Sequence, residues 1–432
     1  MRHSGGVYPD RVTATDHVFP HGLRRMVGRD PAERHRTATP LELLFDLTFV
    51  VAFSQAGDQL AHYTAEGHIG PAVWGFVFVV FSVCWAWINF TWFASAFDTN
   101  DWFQRILTMV QMIGVIILAL GIPQVFASID EGGPFNYTVV ASGYVVMRLA
   151  MIAMWLRVAK QDGENRRVAL RYAGFNGLIQ AGWVTVAFLR IDNAVLVVIL
   201  MVGLWSAELF GFAFSTFEGR GRWRGTPWNA HHVTERYGLL VMITLGEVIL
   251  GTITAVAALV AHVGWSGEAV LVAIAGTGLT FGLWWSYFIL PSAAVLARHR
   301  DRKWAWGYGH IILFGALAAV GAGLHVAAYA AEGEAKIGTV GVVLAVAIPV
   351  LIFSVVYFTI YSALFRAVDG FHLLLASGLV LVLAAGVALS LVGVPLGWCL
   401  IVLTLAPLVI AVGYETVGYR HVESYIERES RA

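Results

Sequence analysis

The sequence predicts an all-α, polytopic membrane protein of about twelve transmembrane helices, arranged as two parallel six-helix repeats with both termini cytoplasmic. Three observations predict it. Of the 432 residues, 58% are hydrophobic and 13% charged, with a mean hydropathy of +0.71, more apolar surface than a water-soluble domain can use. Apolar runs of about 20 residues, enough to span a bilayer, recur twelve times with short connections, near 40–61, 71–94, 103–123, 137–159, 168–189, 193–215, 233–261, 266–291, 305–330, 338–365, 371–391 and 396–415. Basic residues also segregate. With the N-terminus inside, 25 of the 28 Lys and Arg fall in cytoplasmic segments, Arg190 and Lys336 fall outside, and Arg148 lies within the fourth span. Such an asymmetry requires an even number of spans.

In chain order, residues 1–38 form a polar cytoplasmic tail with seven arginines, four histidines, four acids and no apolar core. It is expected to be disordered and is not a cleavable signal peptide. Residues 39–216 make the first repeat, 217–232 a basic cytoplasmic linker and helix start, 233–418 the second repeat, and 419–432 a cytoplasmic C-terminal tail. The halves correspond at several points. WAWINF at 85–90 aligns with WWSYF at 284–288, Glu42 with Glu235, and Ser54 with Glu247. Six spans per repeat make the halves insert the same way round, about an axis along the membrane normal. A pathway between them would run beside the first and seventh spans.

The first span opens with Thr39 as N-cap, Pro40 at the first helical position and Glu42 completing a capping box. Glu42, Asp46, Phe49 and Phe53 then share one helix face. The cap accounts for Glu42. Nothing local accounts for Asp46, or for Arg148, Glu208 and Glu247 deeper in the membrane, where a charge costs about 2.5–3.5 kcal/mol. Arg148 needs a partner, and Asp46, Glu208 and Glu247 are the candidates.

These charges fit two readings. In one, Asp46 and Glu247 bind or relay a cation or proton, Arg148 and Glu208 belong to the same path, and Phe49 and Phe53 narrow it. In the other, buried ion pairs only lock helices together. At the start of the seventh span, His231 and Glu235 are four residues apart, as are His232 and Arg236, a spacing suited to a salt-bridged interfacial network. Zinc is disfavoured there, because adjacent histidines diverge by about 100° on a helix and the spacing is not HExxH. Asn89, Gln111, Asn176, Gln180, His310 and His325 read as interhelical hydrogen-bonding groups. Cys84 and Cys399 lie far apart in apolar segments and read as packing residues. No catalytic site, metal or cofactor is expected. The expected partners are the lipid bilayer and a small ion or small-molecule substrate, not nucleic acid, with a homodimer among the assemblies open to the chain.

TPLELLFDLTFVVAF at 39–53 and HHVTERYGLLVMITLGEVILG at 231–251 resemble the bacterial low temperature requirement protein A family, whose members carry an ELFFDL-type first helix and an ER-F/Y-G-L…LGE seventh helix. The likeness covers nearly the whole chain beyond the tail, with Leu44 standing where Phe is common. The resemblance implies a bacterial inner-membrane protein tied by name to growth in the cold, and singles out Glu42, Phe45, Asp46, Glu235, Arg236, Gly238, Gly246 and Glu247. The architecture is also similar in kind to potassium channels built from two six-helix repeats, through Phe45-Asp46, although the second repeat has Leu239 where the acid would stand. The expected function is a cation or proton transporter or channel with its path between the repeats. The alternative is a structural or regulatory membrane protein supporting growth at low temperature.

Overall fold

The computed structural model describes residues 22–424, apart from 34–35, 190, 192, 216, 219–221, 224 and 367–369. Twelve long helices occupy the twelve apolar segments: α1 (Pro40–Ala65), α2 (Ile69–Phe97), α3 (Trp102–Asp130), α4 (Thr138–Gln161), α5 (Arg166–Leu189), α6 (Ala194–Ser215), α7 (Ala230–Val263), α8 (Gly267–Phe288), α10 (Lys303–Ala331), α11 (Thr339–Phe365), α12 (Gly370–Leu391) and α13 (Leu396–Gly413). A short helix, α9 (Ser292–Arg298), links α8 to α10, and a two-stranded ribbon, β1 (Phe217–Glu218) against β2 (Arg222–Trp223), links α6 to α7. Among the described residues, eleven helical segments are long and apolar enough to cross a membrane. Helix α5 has the length, and its polar Asn176 and Gln180 lower its hydropathy.

The distribution of side chains is that of a protein in lipid. Leu120, Leu178, Ile253 and Leu381 are all more than half exposed, whereas Glu42, Asp46, Arg148, Glu208, Arg236 and Glu247 are buried. A charge inside and leucine outside is the arrangement a bilayer selects. The protein is therefore a multi-pass membrane protein.

Small residues set the closest helix contacts. A Cβ on Gly251 of α7 would lie 2.3 Å from the Gly321 carbonyl oxygen of α10, and one on Gly321 would lie 2.5 Å from the Glu247 carbonyl. These two backbones touch, and α1 packs against both helices. Gly114 and Gly143 bring α3 against α4 in the same way. Helix α2 is the most enclosed of the first six, its residues from Phe90 to Phe97 all buried.

The described part of the N-terminal segment is not a free tail. Residues 22–33 and 36–38 lie across the ends of α2, α4 and α7, with Met26 fully buried. The Gly28 amide donates to Asp162 Oδ2 at 2.8 Å, the Arg29 amide to the Ala96 carbonyl at 2.9 Å, and Asn229 Nδ2 to the Glu33 carbonyl at 2.9 Å. Arg36 donates to the carbonyls of Ala94 (2.7 Å) and Ser95, satisfying acceptors at the end of α2. Asp101, the N-cap of α3, binds Arg157 and accepts from the Arg24 amide at 3.2 Å. Burial pushes the Asp101 carboxyl upward, but Arg157 and the Gln104 and Arg24 amides outweigh it and hold it down to about 2. Composition alone pointed to disorder; these pairings to helix ends are what fix the segment. Residues 1–21 lie outside the described residues.

Candidate functional site

Helix α1 starts as the capping box requires. The Glu42 amide donates to Thr39 Oγ1 at 3.3 Å, and the Thr39 amide donates to Glu42 Oε2 at 2.8 Å. The same carboxylate does more. Arg236 of α7 reaches it at 3.0 Å, and His232 Nε2 lies 3.2 Å from Oε1. One helical turn along α1, Asp46 binds the other Arg236 nitrogen and accepts from Trp87 Nε1 of α2 at 2.6 Å. Trp87 and Phe90 rings flank the guanidinium, each with its centre 5.5 Å away. Phe45 stacks on Phe90 at 4.0 Å and meets Phe49 at 5.0 Å. The partner of Asp46 is thus Arg236, not Arg148, and the pairing joins the first and seventh helices. His231 and Glu235 point away and are exposed, so they stand apart from the buried cluster. Glu235 accepts from the Ala38 amide at 3.3 Å.

Arg148 settles on Glu208, the second of its three candidates, at 3.0 Å. Asn176 accepts from it at 2.7 Å, and Tyr144 holds its other nitrogen at 3.3 Å. Trp85 Nε1 donates to Glu208 at 2.7 Å. Beside this pair lies a cavity of about 30 Å³, lined by Trp85, Tyr144, Gln180, Trp183 and Trp205 among others, room for about one or two waters. Gln180 and Trp205 Nε1 have no hydrogen-bond partner among the described residues. This cluster lies within the first half, on α2, α4, α5 and α6, away from α1 and α7.

Glu247 takes part in a third group, about 18 Å along the seam from Asp46. His325 Nδ1 of α10 lies 3.1 Å from Asp58 Oδ1 of α1, and Glu247 adjoins both residues and Ser54. Gly57 leaves room for it: a Cβ there would lie 3.8 Å from Glu247 Oε2. Glu247 Oε1 and His325 Nε2 have no hydrogen-bond partner among the described residues. Asp58 is 46% exposed, against 2% for Glu42 and Asp46. Between the two groups on α1 sit Phe49 and Phe53, both fully enclosed. No group of three or more His, Cys, Asp or Glu side chains among the described residues is close enough to hold a metal ion.

Sequence reasoning placed Asp46, Glu247 and the Phe49–Phe53 stripe on the seam. It missed Asp58, the pairing of His325 with it, and the tryptophans of α2. Trp85, Trp87 and Trp92 donate respectively to Glu208, Asp46 and, at 3.0 Å, Tyr237. The usable signal was chemical, since an indole N–H buried in a membrane needs an acceptor. Of the other motif glycines, Gly238 meets Phe288 of α8, where a Cβ would come within 3.0 Å, and Gly246 faces open space.

No solved structure matches the chain. An uncharacterized protein of Rhizobium meliloti (strain 1021) is 25% identical over 210 residues, covering 48% of this chain and 49% of the relative; the match thus spans about half the length of that curated relative. A profile of the family described as bacterial low temperature requirement A protein (LtrA) matches residues 37–407, which include all three charged groups. The chain belongs to the bacterial low temperature requirement A family.

Proposed function

We propose that this is a transport protein of the bacterial inner membrane that moves a proton, or another small cation, along the seam between α1, α7 and α10. The observation that carries the reading is the Asp58–Glu247–His325 group. It joins a half-exposed carboxylate to a buried one that has an unpaired oxygen, beside an imidazole with an unpaired nitrogen. Two carboxylates and a histidine without a permanent cation hold excess negative charge unless a proton or cation binds. An imidazole 3.1 Å from one carboxylate and adjoining a second is suited to passing a proton between them. Phe49 and Phe53 separate this group from the cluster at the other end of the seam, and a conducting state requires them to move.

Three features support the two-repeat arrangement with cytoplasmic termini. Ser54 and Glu247, at equivalent positions in the halves, are neighbours, as residues beside a pseudo-symmetry axis should be. The packing of α1 on α3 and of α3 on α4 is repeated by α7 on α10 and α10 on α11. The basic residues, concentrated on one side, favour this orientation.

A second reading, a structural or regulatory membrane protein, is favoured by one observation: Arg236 pairs with both Glu42 and Asp46. The experiment that separates the two is flux into liposomes containing the purified protein, measured for H⁺, Na⁺, K⁺ and Mg²⁺. Transport predicts uptake of at least one of these above empty liposomes. A flat response to the whole panel from correctly folded protein favours the structural reading.

A further inference from the structure

Where α9 turns into α10, two cations sit together without a counter-ion among the described residues. Arg300 lies over the Trp228 ring, 4.1 Å from its centre, and donates to the Trp228 carbonyl at 2.7 Å. Lys303, one turn on, has its Nζ 4.7 Å from the Trp304 ring, 5.8 Å from Trp228 and 5.9 Å from Trp92. Gly225 closes one side, where a Cβ would lie 3.2 Å from Nζ. Both cations are partly buried; Arg300 meets a ring and a carbonyl and Lys303 three rings, and neither is paired with a carboxylate among the described residues. The neighbouring charges are engaged elsewhere: Asp301 by Arg366 at 2.9 Å, and Arg302 by the Leu364 carbonyl.

Aromatic faces stabilise a cation without neutralising it. Two like charges three residues apart, half out of water, therefore call for an anion from outside the chain. Lysine supplies a point charge and arginine a planar donor edge, the pair that suits a phosphate oxygen set. Trp92 and Trp228 are buried; Trp304, partly exposed, is the kind of side chain that settles at the headgroup level of a bilayer.

We infer that Arg300 and Lys303, on their floor of Trp92, Trp228 and Trp304, form a binding site for a phosphate group at the membrane surface. A phospholipid headgroup and a free phosphate present the same chemistry, and the test separates them. Full-length protein, delipidated in detergent, is titrated with phosphatidylglycerol, phosphatidylcholine or inorganic phosphate, and bound ligand is read by native mass spectrometry alongside thermal stability. Preferential retention of phosphatidylglycerol is expected. It should weaken about fivefold for each cation removed in Arg300→Gln and Lys303→Gln, the equivalent of about 1 kcal/mol each, while Lys303→Arg retains it. Saturable protection by inorganic phosphate that the variants lose, with phosphatidylglycerol no better, also supports the site and assigns it to a soluble phosphate. Equal binding to the parent protein and the charge-neutralised variants, or binding to neither, overturns the site. Should Lys303→Gln fail to fold, Arg300→Gln alone carries the comparison.

Discussion

The two ends of the α1–α7 seam are built from the same parts and behave as opposites. Each has two carboxylates and one histidine: Glu42, Asp46 and His232 at the end covered by the N-terminal segment, Asp58, Glu247 and His325 at the other. The difference is one arginine. Arg236 binds both acids at the covered end, where every group is buried and a permanent positive charge offsets one of the two negative ones. The far end has no such cation, and Asp58 opens it to the surface; unpaired atoms do not separate the ends, since Asp46 Oδ2 and His232 Nδ1 lack a partner among the described residues just as Glu247 Oε1 and His325 Nε2 do. On the proposed transport reading, the same residue types form a lock where a permanent counter-charge fills the site, and an exchangeable site where none does.

The comparison breaks most sharply at Arg236. Arg236→Gln leaves Glu42 and Asp46 buried without a cation, and loss of one partner from a buried ion pair costs about 3–5 kcal/mol. Thermal unfolding in detergent should show a large drop in midpoint. A variant as stable as the parent would remove the lock from the account.

Much of this was legible in the sequence, for identifiable reasons. Hydropathy and length located the twelve helices because a bilayer imposes both. The capping box was legible because its partners are three residues apart. Asp46 stood out as a membrane acid without a local excuse, but its partner was not, since Arg236 lies 190 positions away in sequence and reads, on its own helix, as a partner for His232. Arg148 presented three acids at plausible depth, and only packing selects Glu208. The ordering of residues 22–38 was hidden because it depends on Asp101, Asp162 and Asn229, each at a helix end far along the chain.

A smaller effect is expected at Gly321, which presses on the backbone of Glu247. Gly321→Ala must push α10 from α7 and should cost about 1–3 kcal/mol, as overpacking does. The far-end geometry shifts with it, so any flux should fall more than stability does. Comparable losses of flux and stability would mean that the seam works only through global integrity.

Smaller still is the effect at Asp101, which tests the cover over the locked end. Its folded-state value lies below that of an unfolded aspartate, near 3.9. Its contribution is therefore complete above about pH 4 and lost as pH falls toward 2. Asp101→Asn should mimic acid at neutral pH, making residues 22–38 more sensitive to limited proteolysis while the midpoint of unfolding moves little. An unchanged cleavage pattern would show that the other pairings hold the segment alone.

The most direct measurement pairs flux with stability in Glu247→Gln. The amide keeps the shape of the side chain and removes its charge at a site with no ion partner to orphan, so the unfolding midpoint should stay close to that of the parent protein. Proton uptake into liposomes, followed with an entrapped pH-sensitive dye, should fall to the level of empty vesicles. Undiminished uptake by a stable Glu247→Gln protein would contradict the exchangeable site at the far end of the seam.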